Sequence, residues 1–171
     1  MDPTLIIDGL VLRDERDEDE TFLRALYAST RLDELAAVGW DPAQIDAFLR
    51  MQFDLQRTHY RRYYADASFL IVEHDGQPVG RLYTHDAPHV VRVMDIALMP
   101  DVRGKGIGRR LIEHVLERAA SLGAPVGLHV AVGNRARRLY QRLGFRVVTE
   151  DAMNLFMERP HSITADAVVE A

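Results

Sequence analysis

Apolar positions in the first third of the chain follow a strand pattern and then a helical one. Two short apolar runs, residues 5–7 and 10–13, predict a first strand or hairpin. Helical spacing of apolar residues follows at 22–27, after a run of acids that suits a helix cap. Asp41-Pro42 combines a capping side chain with proline at the first helical position. This pair predicts a second helix that runs to about Tyr60.

The rest of the chain is richer in strand patterns. Residues 68–73 and 79–85 flank Asp75-Gly76, a dipeptide that favours a hairpin turn. Residues 90–99 alternate and predict the longest strand. The remaining patterns predict a helix, a strand, a short helix and a closing pair of strands, at residues 106–122, 126–132, 136–143, 145–149 and 153–158. The order indicates a mixed α/β fold with antiparallel consecutive strands and one helical crossover that joins a parallel pair.

Length and composition narrow the class of protein. The 171 residues suffice for one domain with a single core. The chain has no cysteine, which excludes a cysteinyl thioester and a Cys-based zinc site. No apolar run approaches the roughly 20 residues of a membrane span, and the first residues lack the pattern of a signal peptide. We therefore expect a cytoplasmic protein without a membrane partner.

Charge is distributed unevenly. The formal net charge of −5 argues against a general nucleic-acid binder. Residues 101–146 nevertheless carry ten Arg or Lys against three Asp or Glu. This excess indicates either solvated basic helix faces or a region that holds a small polyanion.

A glycine-rich segment, Arg103-Gly104-Lys105-Gly106-Ile107-Gly108, lies between the predicted long strand and the predicted long helix. Glycines at alternate positions let backbone N–H groups turn toward one point, and a helix start adds unpaired N–H groups and a positive dipole end. The segment therefore predicts a phosphate site. A P-loop would need Lys-Ser or Lys-Thr here, and the dinucleotide fingerprint would need glycine where Arg109 stands. The alternative is a tight strand-to-helix turn with basic surface side chains.

Together with the preceding Ile96-Ala97-Leu98-Met99-Pro100, the spacing Arg103-x-x-Gly106-x-Gly108 resembles the acetyl-CoA signature of the GNAT superfamily of acyl-CoA-dependent N-acetyltransferases. The resemblance implies that the strand backbone pairs with the pantetheine arm and that loop amides hold the pyrophosphate. By position, the pantetheine and the acetyl carbonyl fall to Ile96, Ala97 and Leu98. The pyrophosphate falls to Arg103, Gly104, Lys105, Gly106, Ile107, Gly108 and Arg109.

The same resemblance implies the fold and the domain bounds. We expect a single-domain GNAT fold, with a mixed, largely antiparallel central sheet of about seven strands flanked by about four helices. The domain covers residues 1–160, and residues 161–171 form a flexible C-terminal tail in this prediction. Acetyl-CoA is the expected co-substrate, and no metal is expected.

A second segment, residues 134–145, resembles the second signature of the family, in which asparagine precedes a helix that ends in Leu-Gly-Phe. The resemblance gives Asn134 a part in cofactor binding and Tyr140 the role of the acid that protonates the leaving CoA thiolate. A phenol has a reference pKa near 10, which suits that transfer. On its own, Asn134 also fits a helix cap, and Tyr140 also fits a buried core tyrosine.

Proton removal from the acceptor is where the sequence departs from many relatives. The family often places a glutamate on the strand before the second signature, and His129 occupies that position. Imidazole titrates near pH 6.5, so the exchange is chemically reasonable. We predict His129 as the general base or the residue that orients a water. Asp95, Glu73 and ordered water remain alternatives, as does a packing role for His129.

The acceptor is expected to be a primary amine, on a small molecule or a peptide, that attacks acetyl-CoA directly in a ternary complex. The resemblance assigns its wall to the first two helices and the central hairpin, with candidates Arg31, Asp33, Glu34, Trp40, Gln52, Gln56, His59, Tyr60, Arg81, Tyr83 and Arg92. The main alternative is a non-catalytic acyl-CoA-binding regulatory module on the same fold. A nucleic-acid-binding domain is disfavoured by the net charge, and a homodimer is compatible with the family.

Overall fold

The computed structural model describes residues 4–161. Its strands are β1 (Leu5–Ile7), β2 (Leu10–Asp14), β3 (Ser68–His74), β4 (Gln77–Ala87), β5 (Val90–Leu98), β6 (Val126–Ala131), β7 (Arg146–Glu150) and β8 (Asn154–Arg159). Its α-helices are α1 (Glu20–Ala36), α2 (Pro42–Tyr63), α3 (Ile107–Leu122) and α4 (Ala136–Arg142). The element order follows the predicted one. The tail predicted at 161–171 lies, apart from His161, outside the described residues.

The sheet is mixed and mostly antiparallel, as predicted, but its described part has eight strands where about seven were expected. The additional strand arises because the first apolar segment is a hairpin, with Asp8 and Gly9 at positive φ in its turn. The strand order is β1-β2-β3-β4-β5-β6-β8-β7, and β5 and β6 form the predicted parallel pair. The placement of β8 between β6 and β7 had no signal in the sequence pattern.

The longest described strand is β4, with 11 residues, and not β5, which has nine. The prediction was wrong because it followed apolar alternation alone. The ladder with β3 begins at the pair His74 and Gln77, immediately beside the predicted turn, so polar residues extend β4 beyond its apolar part.

The chain divides into two compact units. The first unit joins residues up to His85 with Met94–Arg110, and the second joins Asp86–Val93 with the residues from Leu111 onward. Strand β5 and helix α3 therefore each contribute to both units.

The first unit has a core in which α1 and α2 pack against β3. Its buried cluster consists of Leu23, Tyr27, Leu49, Phe53 and Ile71. Burial of an apolar side chain of this size contributes about 1.5–3 kcal/mol. The predicted start of α2 is confirmed: the Asp41 side chain accepts from the Gln44 N–H at 2.9 Å, and Pro42 is the first helical residue.

The acidic segment before α1 is engaged with basic residues of its own unit. Arg13 donates to both oxygens of Asp19 at 2.7 and 2.8 Å and to Glu73 at 2.7 Å. The hydrogen bond from Arg13 is the main cause that lowers the pKa of Asp19. Glu15, whose side chain is 2% exposed, pairs with Arg57 and Arg61. These ion pairs hold the acidic segment against β3 and α2, and removal of one member would leave an unpaired charge.

The second unit contains most of α3, together with β6, α4, β7 and β8. Leu111, Ile112, Val115 and Ala119 form the buried side of α3. Helix α4 ends at Arg142, and the predicted stop residue Gly144 follows two positions later with a φ of +90°, which is typical of the turn after a helix. Within residues 4–161, no helix is long and apolar enough to cross a membrane.

Candidate active site

The glycine-rich segment forms the turn that leads into α3 in the first unit. Gly104 and Gly106 have φ of +74° and +83°, and nothing lies within 4 Å of where a Cβ would stand at either. Glycine is thus required by the backbone conformation and not by crowding. From Gly104 to Gly108, no N–H donates to another backbone group of the described chain, and Arg110 N–H donates to Gly106 O at the start of the helix. Alternating left-handed residues with free N–H groups form an anion-binding concavity.

The basic side chains of this loop differ in what they contact. The Arg103 Nε donates to the carbonyl of Leu98 at 2.8 Å, and its terminal nitrogen lies 3.3 Å from Ser29 Oγ on α1. Arg110 donates to the carbonyl of Asp8 at 2.6 Å. Lys105 is exposed and forms no ion pair or hydrogen bond with another described residue. Arg103 and Arg110 therefore anchor the loop, and Lys105 is free to approach a phosphate.

The segment Ile96–Leu98 forms the end of β5, and its backbone runs unusually close to β4. A Cβ at Gly80 would lie 2.5 Å from the carbonyl oxygen of Ala97 and 2.6 Å from Leu98 Cδ2. Any side chain at Gly80 would push β5 away, so this glycine sets the position of the predicted pantetheine strand. Sequence reasoning missed Gly80, although an isolated glycine within a strand is a signal of close backbone approach.

Three candidates from the acceptor side, Gln56, Tyr60 and Arg81, come together in the first unit with Asp95, an alternative candidate for the base. We call these four residues the acceptor wall. The buried Arg81 donates to both oxygens of Asp95 at 2.8 and 3.2 Å and to Gln56 at 2.9 Å. Burial opposes the charged form of Arg81, but Asp95, with further effects of Tyr83 and Tyr60, offsets this, so the pKa of Arg81 is raised. Burial, with a further effect of Asp95, raises the pKa of Tyr60 to about 12.

Other candidates of the first unit have structural contacts. Tyr83 is buried and donates to Glu15, and burial raises its pKa. Glu73, the third candidate base, accepts from Arg13 and is separate from the acceptor wall. Trp40 packs edge-on against Phe48 at 5.2 Å.

The residues of the second signature lie in the second unit. Tyr140 is 6% exposed on α4, with its ring 5.8 Å from that of Phe145. Asn134 Oδ1 accepts from the Ala136 N–H at 2.9 Å, immediately before α4, whose N-cap residue is Arg135. This contact uses the side-chain oxygen of Asn134 and not its NH₂ group.

His129 lies on β6 with an exposed side chain. Its ring is 4.9 Å from that of Phe156 on the neighbouring strand β8, at a tilt of 42°. The imidazole is therefore on an open face of the sheet and is not a core residue. Phe156 had not been singled out in the sequence, because an aromatic residue in a strand is ordinary.

Comparison with known proteins identifies the class. Residues 30–145 match the sequence model of the Acetyltransferase (GNAT) family, and the chain belongs to that family. The crystal structure of the PaiA N-acetyltransferase of Thermoplasma acidophilum in complex with coenzyme A is similar in fold. It has a TM-score of 0.68 at 19% identity, over 89% of this chain and 99% of that one.

The alignments with curated relatives cover a smaller share of each chain. The mycothiol acetyltransferase of Streptomyces coelicolor is 30% identical over 106 residues, which cover 60% of this chain and 34% of that protein. An uncharacterized N-acetyltransferase of Methanocaldococcus jannaschii is 30% identical over 59% of this chain and 56% of its own length. The alignments thus span about a third and about half of these relatives.

Proposed function

We propose that this protein transfers an acetyl group from acetyl-CoA to a primary amine by direct attack in a ternary complex. The observation that carries the proposal is the anion-binding concavity before α3, where consecutive N–H groups from Gly104 to Gly108 have no backbone partner in the described chain. A diphosphate is the ligand such a helix start fits best, and membership of an acetyltransferase family supports acetyl-CoA as its source.

The residues of the first unit fit the cofactor as follows. The amides of Gly104 to Arg109 bind the pyrophosphate, and Lys105 adds a free positive charge. Arg103 holds the loop to the end of β5 through Leu98. The backbone of Ile96, Ala97 and Leu98, positioned by Gly80, pairs with the pantetheine and orients the thioester carbonyl.

The chemical step assigned to the second unit rests on its sequence signature. The amine nitrogen bonds to the acetyl carbon, the C–S bond breaks, and the electron pair leaves with sulfur. Tyr140 Oη donates the proton that neutralises the sulfur, and Asn134 contributes to cofactor binding. Before the attack, His129 accepts the first proton from the ammonium, directly or through water. The nitrogen loses its second proton as the amide forms, and this proton restores the Tyr140 phenol. We favour His129 over Asp95, because both Asp95 oxygens already accept hydrogen bonds from Arg81.

An amine panel tests the proposal through release of free CoA thiol. The chain contains no cysteine, so protein thiols add no background. We expect release that depends on the amine, and a comparison of acetyl-CoA binding with that of longer acyl-CoA defines the donor. Acetyl-CoA binding without amine-dependent release from any member of a broad panel would favour the regulatory module instead.

Two variants separate the catalytic roles. Replacement of Tyr140 by Phe should lower kcat by about 100-fold or more, with little change in acetyl-CoA affinity. Replacement of His129 by Ala should change the acidic limb of the pH–rate profile. A Tyr140 variant impaired only in binding would assign Tyr140 to packing, and an unaltered pH profile would exclude His129 as the base. A cytoplasmic location and a homodimer remain parts of the same proposal.

A further inference from the structure

On the face of the sheet that carries His129, the neighbouring strand β5 has a cation, Arg92, for which the described residues supply no ion-pair partner. Arg92 of β5 pairs with Gly127 of β6, Gly127 pairs with Glu158 of β8, and Glu158 pairs with Arg146 of β7. Residues directly opposite one another on adjacent strands project from the same face of a sheet. Arg92, Glu158 and Arg146 thus form one row, with Gly127 between Arg92 and Glu158.

Despite this alternation of charge, the Arg92 side chain forms no ion pair or hydrogen bond with another residue between 4 and 161. The reason is the ring of Phe156. A Cβ at Gly127 would lie 3.0 and 3.1 Å from two carbons of that ring, so the ring fills the space above Gly127. It thereby occupies the position between Arg92 and Glu158 through which the two charges would meet.

The Arg92 guanidinium is held in place but only partly covered. Its Nε is buried without a partner, while the residue as a whole is half-buried, so the terminal nitrogens are at the open side. A guanidinium in this situation presents two parallel N–H donors, the geometry that matches a carboxylate.

The same face carries the proposed base. His129 is two residues beyond Gly127 on β6, and its ring stacks against Phe156. Arg92 is opposite Gly127 in the parallel pair of β5 and β6, so His129 lies two positions further along β6 on the same face. A single small molecule that extends along this face can reach both side chains, with the Phe156 ring beside Gly127 and His129 as an apolar floor.

We propose that Arg92 is a specificity residue and that the acceptor is an amino acid or a similar small molecule with a carboxylate near its amine. The carboxylate binds the terminal nitrogens of Arg92, and the amine is directed toward His129. This inference rests on the proposed function for the role of His129. The carboxylate site itself stands on the contacts of Arg92, Gly127 and Phe156.

Matched acceptors test the proposal. Glycine, serine, phenylalanine and lysine are each compared with their amides and with methylamine, ethanolamine, phenethylamine and cadaverine. We expect the best acid to exceed its amide and its decarboxylated amine by about 10- to 100-fold in kcat/KM, the effect of one bidentate charged contact. Arg92→Gln should abolish that preference by raising the KM of the acids. Their kcat, and the kcat/KM of acceptors without a carboxylate, should change little.

Arg146→Gln is the matched control, because Arg146 is an arginine on the opposite side of Glu158 in the same row. It should retain the preference, and Arg92→Lys should retain part of it. Equal loss for acids, amides and amines in Arg92→Gln would reduce Arg92 to a structural residue and overturn the proposal. So would a wild-type enzyme that prefers the decarboxylated amine in every set.

Calorimetric binding of the same amino acids, in the presence of CoA, distinguishes this inference from the proposed function. Binding that requires Arg92 but gives no thiol release from acetyl-CoA would support the carboxylate site and contradict the transferase. Thiol release from amines without any Arg92-dependent binding of acids would do the reverse. Neither binding nor release of any kind would contradict both.

Discussion

The glycine loop and the acceptor wall belong to the same unit but are built from different chemical groups. The loop presents backbone N–H groups, whose directions follow from the positive φ of Gly104 and Gly106. The wall presents side chains, and their positions follow from hydrogen bonds between residues 14 and 25 positions apart in the chain. The loop is thus defined locally, and the wall is defined by tertiary packing.

We infer that a fold with this division can keep its cofactor and change its acceptor. A site made of backbone depends on few residue identities, since any chain with the right φ angles supplies the same donors. A site made of side chains changes with each substitution in its network. We therefore expect substitutions in the wall to affect stability and acceptor use, and substitutions in the loop to affect acetyl-CoA binding.

The largest expected effect comes from Arg81→Met. The Arg81 and Asp95 side chains are 4% and 17% exposed, so the variant leaves a partly buried carboxylate without its partner. Removal of one member of such a pair costs about 3–5 kcal/mol in the free energy of unfolding, measured by urea denaturation. Acetyl-CoA affinity should be retained under conditions in which the variant is folded.

The double variant Arg81→Met, Asp95→Leu is the control for the charge. If the unpaired carboxylate causes the loss, removal of both charges should restore most of the stability. A double variant as unstable as the single one would show that Arg81 contributes mainly through packing, for example over the Tyr83 ring at 4.8 Å. Weakened acetyl-CoA binding in the double variant would show that the acceptor wall and the loop are not independent of each other.

The two sites also differ in how far the sequence predicted them. The loop was predicted from local features, because glycine at positive φ and a helix start are both visible in a few residues. Helix α2 was predicted for the same reason, from Asp41-Pro42. In each case the determining contacts lie within one turn of chain, as in the Asp41 to Gln44 capping bond.

The wall could be named only as a set of candidates. Nothing in the sequence pairs Arg81 with Asp95, or Arg13 with Glu73 across 60 residues. Gly80 was missed because its role depends on how closely β5 passes it. The place of β8 between β6 and β7 was missed because the sequence of two successive apolar strands does not specify which of them pairs with β6.

A second prediction concerns the ionisation of the wall. The pKa of Tyr60 in the folded protein is about 12, against an ordinary value of 10.0. Below pH 10 the hydroxyl is protonated in both states, so its contribution to stability is constant. Between pH 10 and 12 only the unfolded state releases the proton, so stability falls as pH rises, by about 2–3 kcal/mol in total.

Tyr60→Phe should reduce this alkaline loss, measured as urea midpoints from pH 9 upward. Some loss should remain, because burial also raises the pKa of Tyr83. Arg103→Met, a variant in the loop, should keep the wild-type slope. An unchanged slope in Tyr60→Phe would mean that Tyr60 is more accessible than its contacts indicate.

A third prediction concerns the loop conformation. Gly106→Ala places a Cβ on a residue with φ of +83°, which costs about 1–2 kcal/mol for an L-residue. The loop can escape this strain by turning its N–H groups away, so acetyl-CoA affinity should fall about 10-fold in calorimetry. Gly39→Ala is the matched control, since Gly39 has φ of +77° and equally open surroundings. It should lose similar stability and no affinity; equal affinity losses would assign the effect to the fold as a whole.

The smallest expected effect concerns two basic residues of the loop, Arg103 and Lys105, which differ in their contacts. Arg103→Met removes the hydrogen bonds to Leu98 and Ser29 that hold the loop, whereas Lys105→Met removes only an exposed charge. We expect both to weaken acetyl-CoA binding by about 3- to 10-fold, at about 1 kcal/mol each. Raising the salt to about 0.5 M should remove most of the difference in acetyl-CoA affinity between Lys105→Met and the wild type, because exposed charges are screened. The affinity difference between Arg103→Met and the wild type should remain. If both differences disappear in salt, Arg103 acts on the phosphate through its charge and not as an anchor of the backbone. The loop would then depend on side chains as the acceptor wall does.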